Sequence, residues 1–203
     1  MENKTDESPL LMSSSYERSH ELISRGECQL LIIDMQEKVL APIPVREQLV
    51  ANCGKLVEAA KLFSVPVAVT EQYPKGLGPT HPELRGLLPD ITIPDKIRFS
   101  AVESLNWGMA AERPDDRFKV VVAGIEAHVC VLQTVLDLLI CGYQVHVAAD
   151  AIGSRTKLDW KLALRRMAGS GAVITTTEAI LFEWCKTAGT PEFKQLSKLV
   201  TGR

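Results

Sequence analysis

The chain has 203 residues, 46% of them hydrophobic, and a net charge of −2 from 23 basic and 25 acidic side chains. That length and composition suit one globular domain with a packed interior. A near-balanced charge without a basic cluster argues against nucleic acid as a partner, and no apolar run approaches the roughly 20 residues of a membrane-spanning helix.

Residues 1–26 are polar and unpatterned and are expected to form an N-terminal arm, mobile or carrying a short packing helix, ahead of a single domain over 27–203. The opening MENKTDESPLLMSSSYERSH lacks the basic region and apolar core of a secretory signal. Five scattered cysteines (28, 53, 130, 141, 185) form no CxxC pair. Reduced thiols, a cytoplasmic setting and no structural zinc are the expectation.

Cys28 to Ile33 (CQLLII) reads as a buried strand ending at Asp34, and Val45 to Phe63 as an amphipathic helix with Leu49, Cys53, Leu56, Val57 and Ala60 inward. Val65 to Thr70 (VPVAVT) is predicted as the second strand. The Gly- and Pro-rich TEQYPKGLGPTHPEL that follows has no periodicity and reads as a long loop, a length that often carries function. Ile93 to Phe99 is a short extended piece, and Ser100 with Glu103 forms a capping box opening a helix to about Ala111. The dense apolar run Val120 to Ala123 has the composition of a strand buried on both faces. Gly124 breaks it, and helical spacing follows: Val131, Val135 and Leu138 beside Leu132, Leu136 and Leu139, with Gln133, Thr134 and Asp137 on the polar side, stopping at Gly142. Tyr143 to Ala149 is another strand, closed by Asp150. A helix over Lys157 to Ala168, a strand over Ala172 to Thr176, and a final helix capped by Thr175 and Glu178 complete the pattern. Alternating strands and helices predict βαβ crossovers and a mostly parallel sheet covered on both faces.

Ligands of such sheets gather outside the carboxyl ends of the strands. Asp34, Lys96 and Cys130 arrive at that edge. Each has an ordinary reading: a strand-end Asp caps a turn, Lys is a solvated charge, and Cys fills a strand–helix junction as a small apolar residue. Together they also form a workable set. A thiol in the first turn of a helix, beside an ammonium, has a depressed pKa, and a carboxylate within reach takes its proton and returns it to a leaving group. His128 lies two residues from Cys130 and either lines a pocket or faces solvent. His146 alternates with apolar neighbours and reads as structural, and His20 and His81 stand alone. There is no phosphate-binding GxxxxGK[ST] loop. Gly76-Leu77-Gly78 runs into Pro79 rather than a helix, and no HxxxH or DxH spacing occurs, so neither cofactor nor metal is expected.

The pieces LLIIDMQ with Asp34 and Gln36, DKIRFS with Lys96, and GIEAHVCVLQT with Cys130 resemble the isochorismatase-like cysteine-hydrolase superfamily in spacing and order, from about Cys28 to Leu181. The TEQYPKGLGPTHPEL loop is most similar to its isochorismatase domain-containing branch, whose members largely lack an assigned substrate. The resemblance implies a Rossmann-like three-layer αβα sandwich around a six-stranded, mainly parallel sheet. It also implies an Asp34–Lys96–Cys130 triad, a non-proline cis peptide between Ile125 and Glu126, an oxyanion hole from the Glu126 and Cys130 amides, and a homo-oligomer. The expected activity is cleavage of an amide-type C–N bond of a small molecule through a Cys130 thioester. Gln36, Tyr73, Phe99, Trp107 and His128 are candidate pocket residues, the aromatic ones equally suited to core or interface. True isochorismatases generally lack the cysteine kept here, and nicotinamidases carry a metal-binding Asp-x-His where this chain has Gln72, Tyr73 and a lone His81. Two other readings stand beside the amidase: a vinyl-ether hydrolase, and a non-catalytic binding or redox-sensing oligomer.

Overall fold

A computed structural model describes residues 17–202. Its centre is a six-stranded sheet in the order β3-β2-β1-β4-β5-β6, with every strand pair parallel. In chain order, β1 (Cys28–Ile33) leads through α1 (Glu37–Leu40) to α2 (Arg46–Leu62) and β2 (Val67–Gln72). Two short helices, α3 (Pro74–Leu77) and α4 (Pro82–Leu87), precede the two-residue β3 (Asp95–Lys96) and α5 (Val102–Leu105). Then come β4 (Lys119–Ile125), α6 (Leu132–Ile140), β5 (Gln144–Gly153), α7 (Lys157–Gly169), β6 (Val173–Thr175), α8 (Thr177–Cys185) and α9 (Pro191–Thr201).

Period-two alternation along the central strands makes the three layers. Leu30, Ile32, Val121 and Ala123 enter one core with α2 and α8, while Leu31, Ile33, Val120 and Val122 enter the other with α6 and α7. Every residue of β1 and β4 is buried, which fits the apolar runs Leu30–Ile33 and Val120–Ala123 within them. The expected αβα sandwich is the observed fold.

Several elements differ from the sequence reading, each for a local reason. The helix expected over 100–111 stops at Leu105. Asn106 turns left-handed at φ 51°, and Glu103 pairs with Arg98 at 2.6 Å instead of reaching back to cap. The loop after β2 is not structureless, because Pro74 and Pro82 each occupy the first turn of a short helix, where the missing N–H is no loss. Strand β5 continues through Asp150 to Gly153, past a register irregularity between Val122 and Gly124 of β4. The final predicted cap is shifted by one residue: Thr176 accepts from the Ala179 amide at 3.4 Å and opens α8. Thr134, placed on the polar side of α6, is fully buried, and Ile140 is exposed instead. Of the N-terminal arm, residues 1–16 lie outside the described residues. The part from Glu17 onward is tied down, with Ile23 fully buried and its amide donating to Glu183 Oε2 at 2.7 Å. Buried Lys119 donates to the carbonyls of His20 and Leu22 at 2.6 and 3.2 Å.

Candidate active site

The strand order reverses between β1 and β4. From β1 the chain steps outward to β2 and β3, then returns to the other side of β1 for β4, β5 and β6. Loops leaving β1 and β4 therefore part in opposite directions and open a crevice at their carboxyl ends. Asp34 follows β1 there, and the turn Ala127–Val131 follows β4. Gly124 lets the two strands meet so closely. Its φ is 121°, and a Cβ would run into the backbone of Ile33.

Asp34 adopts a left-handed φ of 52°, its amide donating to Thr70 O at 3.1 Å. This turns the carboxylate inward, where Oδ1 accepts from Thr70 Oγ1 at 2.9 Å. Lys96, on the edge strand β3, reaches over the end of β2 and brings Nζ to 2.7 Å from Asp34 Oδ2. Its directed hydrogen bonds run elsewhere: to Gln72 Oε1 at 2.6 Å, to Phe99 O at 2.9 Å and to Arg98 O at 3.3 Å. Asp34 Oδ2 thus feels the ammonium's charge yet has no well-aligned donor, and is the oxygen left open to receive a proton. The Cys130 thiol lies beside both Asp34 and Lys96, close enough for each to shift its titration. All three side chains are buried, at 1%, 5% and 7% exposure.

Burial sets the charge state of this cluster. Desolvation raises the Asp34 carboxyl above its ordinary range, against the pull of Lys96, of the neighbouring Cys130 thiol and of the Thr70 hydrogen bond. The Cys130 thiol is pushed up to about 12, by burial first and the Asp34 charge second, with Lys96 opposing. The depressed thiol expected from the helix first turn and the neighbouring ammonium is therefore reversed. In the resting site the thiol keeps its proton, because water is excluded and a carboxylate stands against it.

The turn carrying Cys130 is wound one residue wider than an α-helix, with Glu126 O accepting from the amides of both Val129 (3.0 Å) and Val131 (3.2 Å). The Ile125–Glu126 peptide is cis. Among the described residues no backbone carbonyl accepts from the Glu126 amide, which sits beside this turn. The Glu126 side chain is turned away and takes two bonds from Arg155, from its amide at 3.2 Å and its Nε at 3.0 Å.

The predicted pocket residues separate into three groups. Tyr73 and Phe99 stand at the rim, about half exposed, and are joined to Lys96 through backbone: Tyr73 N donates to Lys96 O at 2.9 Å, and Phe99 O accepts from Nζ. His128 is half-buried with Nδ1 3.0 Å from Ser154 Oγ. Gln36 and Trp107 do other work. Gln36 is fully buried, its Nε2 donating to Gln72 O (3.0 Å) and Gly78 O (2.5 Å) and its Oε1 accepting from Gln72 N (2.8 Å). With both amide groups engaged it ties the end of β1 to β2 and the following loop, so it is a frame residue and not a pocket wall. Trp107 packs against Tyr143 at 6.1 Å between ring centroids, under the Arg113 guanidinium.

Three polar residues of the site escaped the sequence reading. Thr70 orients Asp34, and Gln72 holds Lys96 while its Nε2 donates to Ile97 O at 2.8 Å. Thr134 donates to Cys130 O at 2.7 Å and accepts from Ala101 N at 2.9 Å, joining the Lys96 segment to the Cys130 turn. A strand-end Thr and a Thr four residues after the cysteine were visible signals, but only burial separates them from solvated hydroxyls.

The Isochorismatase domain family matches residues 28–179. The human isochorismatase domain-containing protein 2 is 43% identical over 177 residues, covering 86% of this chain and 83% of that protein. Among solved structures, one described as the MAR1 ribonuclease of Caenorhabditis elegans is 38% identical with a TM-score of 0.79, covering 89% of this chain and 92% of that one. The YcaC gene product of Escherichia coli, described as an octameric hydrolase of unknown specificity, shares the fold at 21% identity and a TM-score of 0.76, covering 92% and 98%.

Proposed function

The chain belongs to the isochorismatase-like hydrolase family, and from that premise we propose that it hydrolyses an amide-type C–N bond of a small molecule through a thioester on Cys130. The observation that carries this reading is the buried Asp34–Lys96 pair beside the Cys130 thiol. Isolating two charges from water is costly, and a proton acceptor aimed at a thiol is the use that fits the open Asp34 Oδ2.

As Cys130 Sγ attacks the carbonyl carbon, its proton passes to Asp34 Oδ2. The oxygen becomes an oxyanion, received by the Glu126 and Cys130 amides. Asp34 then gives the proton to the departing nitrogen as the C–N bond breaks. Water attacks the thioester with its proton going to Asp34, the C–S bond breaks as Asp34 passes that proton to Sγ, and the acid leaves with the thiol and the carboxylate restored. Lys96 keeps Asp34 ionised before attack and balances the negative charge as it moves between sulfur, oxygen and carboxylate. Tyr73, Phe99 and His128 form the approach. Five free cysteines fit a reducing, cytoplasmic setting.

Screening the full chain against small primary and secondary amides, with intact-mass detection of an acyl adduct, tests the reading. Cys130→Ala should keep the fold and lose turnover by about a thousandfold or more. Turnover that survives this change sinks the thioester and leaves vinyl-ether hydrolysis, which needs no thiol. The C. elegans relative's description raises RNA as a substrate. A net charge of −2 and a cysteine only 7% exposed give a polyanion little purchase, and an RNA-cleavage assay on the same variant decides the matter.

The octameric E. coli relative makes a homo-oligomer the natural proposal for this chain too. Ile97, 71% exposed beside the site, is apolar surface that a second copy would cover. Light scattering behind a sizing column should give a multiple of 22.3 kDa, and a monomer at micromolar concentration would discard this part.

A further inference from the structure

Between the start of α2 and the carboxyl end of β5 lies a cleft of about 500 Å³, lined by none of Asp34, Lys96 and Cys130. Its size is that of small-molecule pockets, roughly 300–1,000 Å³. The walls are apolar, from Val45, Leu49, Ile152 and Trp160. The Trp160 indole is fixed in place, its Nε1 donating to Ala149 O at 3.2 Å. The rim is cationic, with Arg155 and Lys157. One carboxylate lines the cleft, Asp150, and it is already engaged. Its Oδ1 accepts from the Thr177 amide (2.7 Å) and hydroxyl (3.0 Å), and its Oδ2 lies 3.3 Å from Asn52 Nδ2. Arg155 gives only its amide and Nε to Glu126, and among the described residues Lys157 pairs with no acid. An apolar slot with the unpaired Lys157 charge at one end, beside an Arg155 guanidinium held by Glu126 through Nε alone, complements an amphipathic anion.

We propose that this cleft is a second small-molecule site, taking a compact aromatic or branched-chain carboxylate whose apolar body lies against Trp160 and Leu49 and whose anionic group meets Arg155 and Lys157. The segment Ser154–Arg155 that borders the cleft also holds the Cys130 turn, through Ser154 Oγ to His128 and Arg155 to Glu126. A carboxylate on the Arg155 guanidinium competes with Glu126 for it, so occupation of the cleft alters access to Cys130.

The test is a titration of the ¹⁵N-labelled full chain with 4-phenylbutyrate. The Trp160 indole N–H and the amides of Ser154 to Lys157 should shift saturably. The uncharged 4-phenylbutanamide should bind about tenfold more weakly, and Lys157→Gln should weaken the carboxylate about threefold, the loss of a partly exposed charge contact. Gln48→Trp, which fills the cleft from an exposed position, should abolish the shifts. The Lys157→Gln arm keeps the test decisive if that filling is not tolerated. At saturation, Cys130 alkylation by iodoacetamide, located by mass spectrometry, should change at least about twofold, as coupling of that order requires. Shifts centred on Tyr73, Phe99 and His128 with Trp160 unmoved would place the probe in the hydrolytic site and overturn the proposal. Equal, non-saturating responses to acid and amide would overturn it as well. So would the same residues shifting on dilution without probe, which would make a second copy the occupant. Binding at the cleft with unchanged alkylation overturns the coupling.

Discussion

At Cys130 two influences of opposite sign meet. The Lys96 ammonium and the position in a helical first turn favour a thiolate, while burial and the Asp34 carboxylate favour the thiol. Burial is the largest effect, so under the proposed mechanism the thiol would pass its proton to Asp34 during attack rather than stand ready as an anion. The consequence separates this site from an activated-thiolate protease. Alkylation of Cys130 should keep rising with pH beyond 9, without levelling as a thiol of ordinary pKa would. Asp34→Asn removes the opposing charge, so it should speed alkylation near pH 8 while lowering turnover by about 10²–10⁴, the usual contribution of a general base. Slower alkylation in that variant would contradict the assignment. Under the proposed mechanism turnover needs ionised Asp34, whose pKa is raised. Activity should therefore fall, as pH drops, through a midpoint above the ordinary carboxylate value. Lys96→Met should cost about 3–5 kcal/mol in urea unfolding, because it leaves a buried carboxylate without its counter-charge.

Strands and turns set how closely these groups approach. Residues of β1 pair with β4 in register from Cys28–Lys119 to Ile33–Gly124. The last pair carries Asp34 and the Cys130 turn to one point. Gly124→Ala places a Cβ into the Ile33 backbone at a φ of 121°. Strands that cannot separate without losing their ladder leave little room to relax, so a loss of at least about 2 kcal/mol is expected in thermal or urea unfolding. Any soluble variant should lose turnover out of proportion to its stability. A fully stable, fully active Gly124→Ala protein would show that the close approach is not needed. Short elements, by contrast, were poorly legible. The capping box at Ser100 and Glu103 promised a helix to Ala111, yet Arg98 captured Glu103 and Asn106 turned the chain. Proline-rich sequence after β2 read as loop, although Pro74 and Pro82 start helices there.

Across the molecule, two cores on opposite faces of one sheet hold the site between them, and a buried histidine reports on their integrity. His146 lies in β5 at 3% exposure, its pKa lowered to about 4 by burial and secondarily by the Lys119 charge. The folded state prefers it neutral, so its contribution is fully present above the unfolded value near 6.5 and is lost as pH falls toward 4. Stability should drop by on the order of 3 kcal/mol across that window. His146→Gln should flatten the urea midpoint between pH 6.5 and 4.5, and an unchanged slope would rule His146 out as the cause. Among the described residues no helix is long and apolar enough to cross a membrane, in keeping with the charge scattered along the chain.

The sequence alone determined the layered α/β architecture, because strands buried on both faces need unbroken apolar runs and their covering helices need apolar stripes. Cys28–Ile33 and Val120–Ala123 carry that requirement in their composition. It also brought Asp34, Lys96 and Cys130 to one sheet edge, since strand ends and helix starts are local events. Tertiary structure decided what those three residues are together. Only the packing of β3 over β2 puts Lys96 Nζ 2.7 Å from Asp34 Oδ2. Only burial turns the expected thiolate into a thiol and makes Thr70, Gln72 and Thr134 part of the site and Gln36 part of its frame. Desolvation depends on every atom that excludes water from a group, and those atoms come from distant parts of the chain.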